Sequence, residues 1–293
     1  MYDMKEYYEA KSVADAVALR LAHPEADVIA GGSDVLVQMR EGKRAGHALL
    51  SIYLLDELRG VSEDADGTLR IGALTSFSHI TRDPLIQKRI PVLGEAVDLV
   101  GGPQIRNIGT IGGNTCNGVT SADSASTLHA YEAIIELTGA DGKRLVPIRD
   151  FYLRAGKVDI REGELETAVL IPKESLENTC GYYYKYAMRE AMDIATTGCS
   201  VNVRLSADKQ TFERVRIAYG VAAPVPVRAP SAEALLAGKP VTRENAEAFG
   251  RAVLNDITPR DSWRASKALR QHIAVELAVR CLTEAVKRCG GEL

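Results

Sequence analysis

No stretch of this sequence stays apolar for the ~18 residues that a membrane-spanning helix needs. The charged and polar opening Met1-Tyr2-Asp3-Met4-Lys5-Glu6 has no apolar signal-peptide stretch behind it, so the chain reads as cytoplasmic with no membrane span. Neither sign of charge dominates. A net charge of −3 excludes the broad basic field that nucleic acid or an anionic membrane would select. The five cysteines, Cys116, Cys180, Cys199, Cys281 and Cys289, contain no Cys-x-x-Cys pair. Neither an iron–sulfur cluster nor a structural zinc is therefore expected on this chain alone. Their odd number and scatter argue against a disulfide framework, and they are expected to act as small buried hydrophobes. Histidines His23, His47, His79, His129 and His272 are dispersed, without metal-ligand spacing or a nucleophile triad. What remains is an ordinary globular composition, 46% hydrophobic and 26% charged over 293 residues, enough for about two domains.

Ser12, with Asp15 three residues on, caps an amphipathic helix carrying Val13, Val17 and Leu21 at helical spacing, and Pro24 ends it. Val28-Ile29-Ala30 then reads as a strand, Val35 to Met39 as a helix and Ala48 to Ile52 as a second strand, a helix–strand–helix–strand unit. Leu69 to Ala73 is strand-like, Ser76 and Ser78 precede a helix interrupted at Asp83-Pro84, and Pro91 opens another that runs through Val100. Gln104 to Ser121 has no period and is read as a long loop. Asp141-Gly142 between two apolar runs marks a hairpin. Glu166 to Ile171 is a strand, and the polar stretch 173–181 is taken as a domain boundary. Beyond it, Ser200 to Leu205 and Arg214 to Tyr219 alternate as paired antiparallel strands. Three helices follow. The last runs from Ser266 to Arg288 with two apolar stripes, one through Leu269, Ile273, Leu277 and Cys281, the other through His272, Val275, Val279, Leu282 and Val286.

Two glycine segments carry the chemistry. Ala30-Gly31-Gly32-Ser33-Asp34 joins a strand to a helix, where consecutive glycines admit close backbone approach and the helix start offers amide donors to a diphosphate. Asp34 is a candidate helix cap. Gly109-Thr110-Ile111-Gly112-Gly113-Asn114 supplies a second set of small residues, amides and hydroxyls. Neither matches Gly-x-Gly-x-x-Gly or Gly-x-x-x-x-Gly-Lys-Ser/Thr, which disfavours a Rossmann site and a P-loop. The residues by themselves imply a phosphate-bearing ligand, with two phosphates or with two ends, not held in a Rossmann manner.

Those two segments, together with Ser121-Ala122-Asp123 and Tyr184-Lys185-Tyr186-Ala187-Met188-Arg189, resemble the FAD-binding subunit of molybdenum hydroxylases. Gly102-Pro103-Gln104-Ile105-Arg106-Asn107 and Ser262-Trp263-Arg264-Ala265-Ser266-Lys267 place the resemblance nearest the bacterial xanthine dehydrogenase branch. The resemblance implies an α+β fold. An FAD-binding domain over 1–175 would comprise two α+β subdomains, about 1–55 and 56–175, of the PCMH and vanillyl-alcohol-oxidase kind. A C-terminal domain over 180–290 would carry a three-stranded antiparallel sheet and a helical bundle, as in CO dehydrogenase flavoproteins. It further implies that Asp27, Val28, Ile29, Ala30, Gly31, Gly32, Ser33 and Asp34 form one diphosphate loop, and that Gly109, Thr110, Ile111, Gly112, Gly113 and Asn114 form the other. Asp123 would bond the ribityl or phosphate region, Leu165 would lie beside a ring, Lys185 would lie near the flavin and Tyr184 would pack beside it. A lysine near the flavin favours its anionic reduced form. Tyr182, Tyr183, Tyr184 and Tyr186 alternate along one strand, so two would face the flavin and two the core or solvent.

By the same resemblance the chain transfers electrons and carries no catalytic residue of its own. A molybdopterin-binding subunit would oxidise the substrate. An iron–sulfur subunit with 2Fe-2S clusters would relay the electrons, and FAD would pass them to NAD⁺ or another acceptor. Three other readings stay open here: a flavin subunit of a nicotinate, CO or aldehyde hydroxylase; a stand-alone FAD oxidase of a small alcohol or sugar, with Cys116 close enough to the second segment for covalent attachment; and a non-enzymatic module that uses the loops for structure or for a partner.

Overall fold

The computed structural model describes residues 3–293; residues 1 and 2 of the expected first subdomain lie outside them. The chain opens with β1 (Met4–Glu9), α1 (Val13–Ala22), β2 (Asp27–Ile29), α2 (Val35–Arg40) and β3 (His47–Ser51). The three strands form a parallel sheet in the order β1-β3-β2. Ser12 caps α1, accepting from the Asp15 amide at 3.1 Å. β1 is absent from the helix–strand–helix–strand expectation for a physical reason. It is an edge strand whose residues Met4 to Tyr7 are exposed, so no buried face imprints an apolar alternation on it.

A second layer follows with β4 (Val61–Glu63), β5 (Leu69–Gly72), α3 (Phe77–Arg82), α4 (Pro84–Arg89), α5 (Pro91–Asp98), α6 (Pro103–Ile108), α7 (Ile111–Cys116) and α8 (Asp123–Ala130). It continues through β6 (Ile134–Gly139), β7 (Gly142–Pro147), α9 (Ile148–Phe151), the small hairpin β8 (Tyr152–Arg154) and β9 (Lys157–Val158), and β10 (Leu165–Ile171). β4-β5-β10-β6-β7 form an antiparallel sheet with the fully buried β10 at its centre. The hairpin turns at Gly142, whose φ of +105° requires glycine. Gln104 to Ser121, expected as a loop, instead folds into α6 and α7. Each has six residues, too few for a helical period to show in sequence. Their starts are marked only locally, by Pro103 and by the Thr110 side chain accepting from Gly113.

The remainder comprises α10 (Lys173–Leu176), β11 (Cys180–Tyr186), β12 (Thr197–Leu205), β13 (Phe212–Gly220), β14 (Val227–Arg228), α11 (Pro230–Leu236), α12 (Arg243–Ala252) and α13 (Lys267–Arg288). Three long antiparallel strands, β11-β12-β13, gain a two-residue fourth, β14. α13 starts at the Ser266 cap and lies across β11 and β12. Its buried face runs through Ile273, Leu277, Cys281, Leu282 and Val286. Leu269 and His272, expected in the stripes, are exposed, and Arg270 is buried instead, donating to the Thr196 and Val221 carbonyls. Cys180 and Cys289 form a disulfide across 5.5 Å between Cα atoms, contrary to the expectation of unpaired thiols. A separation of 109 residues leaves no spacing signal, and only the packing of α13 on β11 brings the two together. Cys199 and Cys281 are buried thiols, as expected.

α8 joins the two parts. It is buried along its whole length, beneath β12 and β13 on one side and against α5 on the other. Thr127 donates to Ser200 at 3.2 Å, and Glu132 just beyond the helix binds both Arg216 and Arg228.

Candidate functional site

Both glycine segments open onto one cleft of about 740 Å³. Val28, Ala30, Gly31, Gly32, Ser33 and Asp34 line it from the first, Gly109, Thr110, Gly112, Gly113 and Asn114 from the second, and Leu165 from β10. Asp27 does not; it binds Arg44 and His47 beside the cleft. Ile29 and Ile111 are buried in apolar clusters behind the loops. Tyr184 and Lys185 line a separate cleft of about 690 Å³. Asp123 lines neither: 6% exposed, it accepts from Lys185 Nζ at 2.8 Å and from the Tyr183 hydroxyl at 2.7 Å. Burial pushes the Asp123 carboxyl up, against the pull of Lys185 and Tyr183. Tyr183 alone of the tyrosine run is buried, whereas Tyr182 and Tyr184 lie under Arg288 and Arg280 of α13. The two clefts meet along one short segment, with Val100 and Ile105 lining the first and Leu99, Gly101 and Arg106 the second.

The two segments present different chemistry to the cleft. Among the described residues, the backbone amides of Gly31, Gly32, Ser33 and Asp34 donate to no protein acceptor. The corresponding amides of the second segment are spent. Ile111 donates to Thr75 at 3.0 Å, Gly112 to Ala73 at 2.9 Å, and Gly113 to the Thr110 hydroxyl at 3.1 Å. The first segment therefore offers an amide cradle suited to an anion. The second offers side chains: the Thr110 hydroxyl, and Asn114, whose Oδ1 accepts from Ser124 at 2.7 Å. Asp34 does not cap α2; its carboxylate accepts from Gln38.

The glycines differ in the same way. A Cβ on Gly31 would overlap the Ile108 carbonyl, and one on Gly112 would come 2.7 Å from the Ala73 Cβ, so these two let backbones pack. Gly32 has a φ of +74°. At Gly113 a Cβ would meet only the Thr110 hydroxyl, at 2.9 Å, and otherwise face the cleft.

Several lining residues carried no sequence signal. Phe77 follows the Ser76 cap and is brought beside Gly109 by an isolated bridge between Ser76 and Thr110. Glu166 reads in sequence as one residue of an ordinary strand. Its carboxyl accepts from Thr115 at 2.7 Å and from Cys116 at 3.1 Å, and burial pushes it up to about 8, so it is protonated at neutral pH. The Cys116 thiol is pushed well above its usual range by burial and by Glu166. Arg20, on the last turn of α1, reaches the same end of the cleft.

Free amides, apolar walls from Val28, Ile52, Leu74, Phe77 and Ile160, and a shape bordered by a second cleft fit a diphosphate joining two aromatic ends, as in FAD. The second cleft is a poor phosphate site, because its cations are already paired: Arg106 with Asp98, Lys185 with Asp123 and Arg189 with Asp193.

Comparison with known proteins agrees with that fit. Residues 2–174 match the family profile described as FAD binding domain in molybdopterin dehydrogenase, and residues 182–285 match the CO dehydrogenase flavoprotein C-terminal domain. The chain is 41% identical to the putative xanthine dehydrogenase FAD-binding subunit of Escherichia coli K12, over 100% of both chains. It is 33% identical to the carbon monoxide dehydrogenase medium chain of Hydrogenophaga pseudoflava, over 97% of this chain and 98% of that one. Its fold superposes on a solved carbon monoxide dehydrogenase from Hydrogenophaga pseudoflava lacking the Mo-pyranopterin moiety, with a TM-score of 0.93, 33% identity and 99% of each chain covered.

Proposed function

The chain belongs to the FAD-binding medium subunits of the molybdenum hydroxylase family, and from that premise we propose that it is the electron outlet of a xanthine dehydrogenase complex. Full-length identity of 41% to a xanthine dehydrogenase subunit, against 33% to a carbon monoxide dehydrogenase chain, favours the purine branch. The partners are a molybdopterin-binding catalytic subunit and an iron–sulfur subunit, and the final acceptor is NAD⁺ or another acceptor. Bound FAD would supply two-electron storage with one-electron exchange, which links an iron–sulfur donor to a hydride acceptor.

The single observation that carries the cofactor assignment is the row of unengaged amides from Gly31 to Asp34 facing the cleft. They would hold the diphosphate, with Thr110 and Asn114 opposite. The apolar walls exclude water around the rings. Lys185, reached across the Leu99–Arg106 segment, brings positive charge towards the flavin end, and its pairing with Asp123 and its bond to the Leu99 carbonyl at 2.9 Å fix where that charge sits. Cys116 does not attach the cofactor. Beside Glu166 its sulfur stays a neutral thiol, which is a poor nucleophile. Denaturation therefore releases all of the flavin.

The test is the purified chain, refolded or stripped of flavin, titrated with FAD. Saturable binding with flavin absorbance is expected. So is NADH oxidation with a dye acceptor and no turnover of xanthine until the molybdopterin and iron–sulfur chains are added. Gly113→Val, which puts a side chain into the cleft, is expected to weaken FAD binding at least tenfold, with a modest fall in melting temperature because its Cβ comes 2.9 Å from the Thr110 hydroxyl that caps α7. Unaltered affinity in that variant, or xanthine turnover by the chain alone, overturns the reading.

A further inference from the structure

Arg20 stands apart from Arg44, the other cation lining the cleft. Arg44 is bound to Asp27 and to Gln38. Among the described residues, Arg20 has neither an ion pair nor a hydrogen bond, and its Nε is buried without a partner. The carboxyl that acts on it, Glu164, is taken by Arg144 at 2.8 and 2.6 Å. With its Nε desolvated and no partner in the chain, this guanidinium is left free to meet a ligand in the cleft.

α7 shows which part of the ligand that partner is. The amide cradle packs at the N-terminal end of α7, where Gly31 abuts Ile108, and the segment from Leu99 to Arg106 that leads into that end also lines the second cleft with Lys185. Arg20 lies beside Cys116, at the C-terminal end of α7, roughly 9 Å away for six residues at 1.5 Å each. A dinucleotide with its diphosphate in the cradle and its flavin towards Lys185 has one part left to extend along α7, the adenosine. The walls at that end, Ile160 and Leu165, are apolar and suit a planar base.

We infer that the Arg20 guanidinium stacks on the adenine of the bound FAD and thereby selects FAD over FMN. This rests on the reading that FAD occupies this cleft. A planar cation over a desolvated aromatic ring is the favourable form of this contact, and the loss of one such contact weakens binding by about tenfold.

The experiment titrates flavin-free wild-type, Arg20→Met, Arg20→Lys and Gly113→Val proteins with FAD and with FMN, following flavin fluorescence and melting temperature. Arg20→Met is expected to bind FAD about tenfold more weakly and FMN within twofold of wild type. Arg20→Lys, which keeps the charge and loses the plane, should fall between. Equal weakening of FAD and FMN overturns the inference, because the arginine then serves a phosphate common to both. Unchanged FAD affinity in Arg20→Met overturns it as well. If Arg20→Met melts too low to titrate, Arg20→Lys decides by the same FAD-to-FMN comparison. Failure of the underlying reading looks different: wild type would not bind FAD, or Gly113→Val would bind it as wild type does, whatever Arg20 does.

Discussion

A carboxyl group on the central strand of a sheet is an uncomfortable residue, and Glu166 shows how the chain tolerates one. It is 2% exposed, with Thr115 and Cys116 as its bonding partners, and burial holds its pKa near 8. The folded value lies above the ordinary carboxyl value of 4.5. Below about pH 4.5 both folded and unfolded states carry the proton and the group adds no pH dependence. Between about 4.5 and 8 the folded state holds a proton that the unfolded state has released, so stability falls as pH rises through that window. Glu166→Gln keeps a neutral hydrogen-bonding group of the same shape and removes the titration. Denaturant unfolding of wild type and variant at pH 5 and 8.5 should show the difference moving in the variant's favour by on the order of a few kcal/mol. A difference independent of pH would mean that the carboxyl is ionised in the fold at neutral pH. The same neutrality keeps a negative charge away from an anionic cofactor, which makes an acid tolerable in this cleft.

At the scale of elements, the site depends on how closely α6, α7 and the first glycine segment pack. Gly31→Ala would drive a Cβ into the Ile108 carbonyl, backbone against backbone, and the strand-to-helix turn must move away. A loss of about 1–3 kcal/mol in unfolding free energy is expected, with weaker FAD binding because the amide cradle shifts. Gly46→Ala, at a position with nothing within 4 Å but a φ of +73°, serves as the comparison, expected to cost about 1 kcal/mol and to leave FAD affinity intact. Wherever a local rule controls the backbone, the sequence was legible: the Ser12 cap, the start of the last helix at Ser266, the Asp141-Gly142 hairpin and the antiparallel pairing of β12 and β13 all appear as read. The glycine segments themselves could be picked out, because chains rarely spend adjacent glycines without a close approach or a special φ. Long-range packing left no such trace. β1 is exposed, α6 and α7 are shorter than two turns, and Cys180 meets Cys289 only after α13 has docked. The division of labour between the glycine segments was equally hidden. The amides of α7 are consumed by Ala73, Thr75 and Thr110, and nothing in a sequence says which amides will be free.

At the scale of the whole molecule, what matters is that the part carrying Lys185 stays registered on the part carrying the cleft. α8 provides the seam, with Asp123 at one end bound to Lys185 of β11 and Glu132 beyond the other bound to Arg216 and Arg228. Glu132 sits at φ +51°, in the left-handed region where a helix end usually has glycine. Keeping a side chain there costs about 1 kcal/mol relative to glycine, so the carboxylate must return more than that. The Arg216 guanidinium is pushed down to about 10, chiefly by burial, so removing its carboxylate partner strands a desolvated cation. Glu132→Ala retains the backbone strain and loses both bridges. It is expected to destabilise by about 1–3 kcal/mol, at the lower end because the Glu132 side chain is 29% exposed. Glu132→Gly loses the same bridges but relieves the strain, and should recover roughly 1 kcal/mol of that loss. The order wild type, then glycine, then alanine in denaturant unfolding is the expected outcome. A glycine variant at least as stable as wild type would show that the two arginines are satisfied without Glu132, and that the seam is held by the apolar packing of α8 alone.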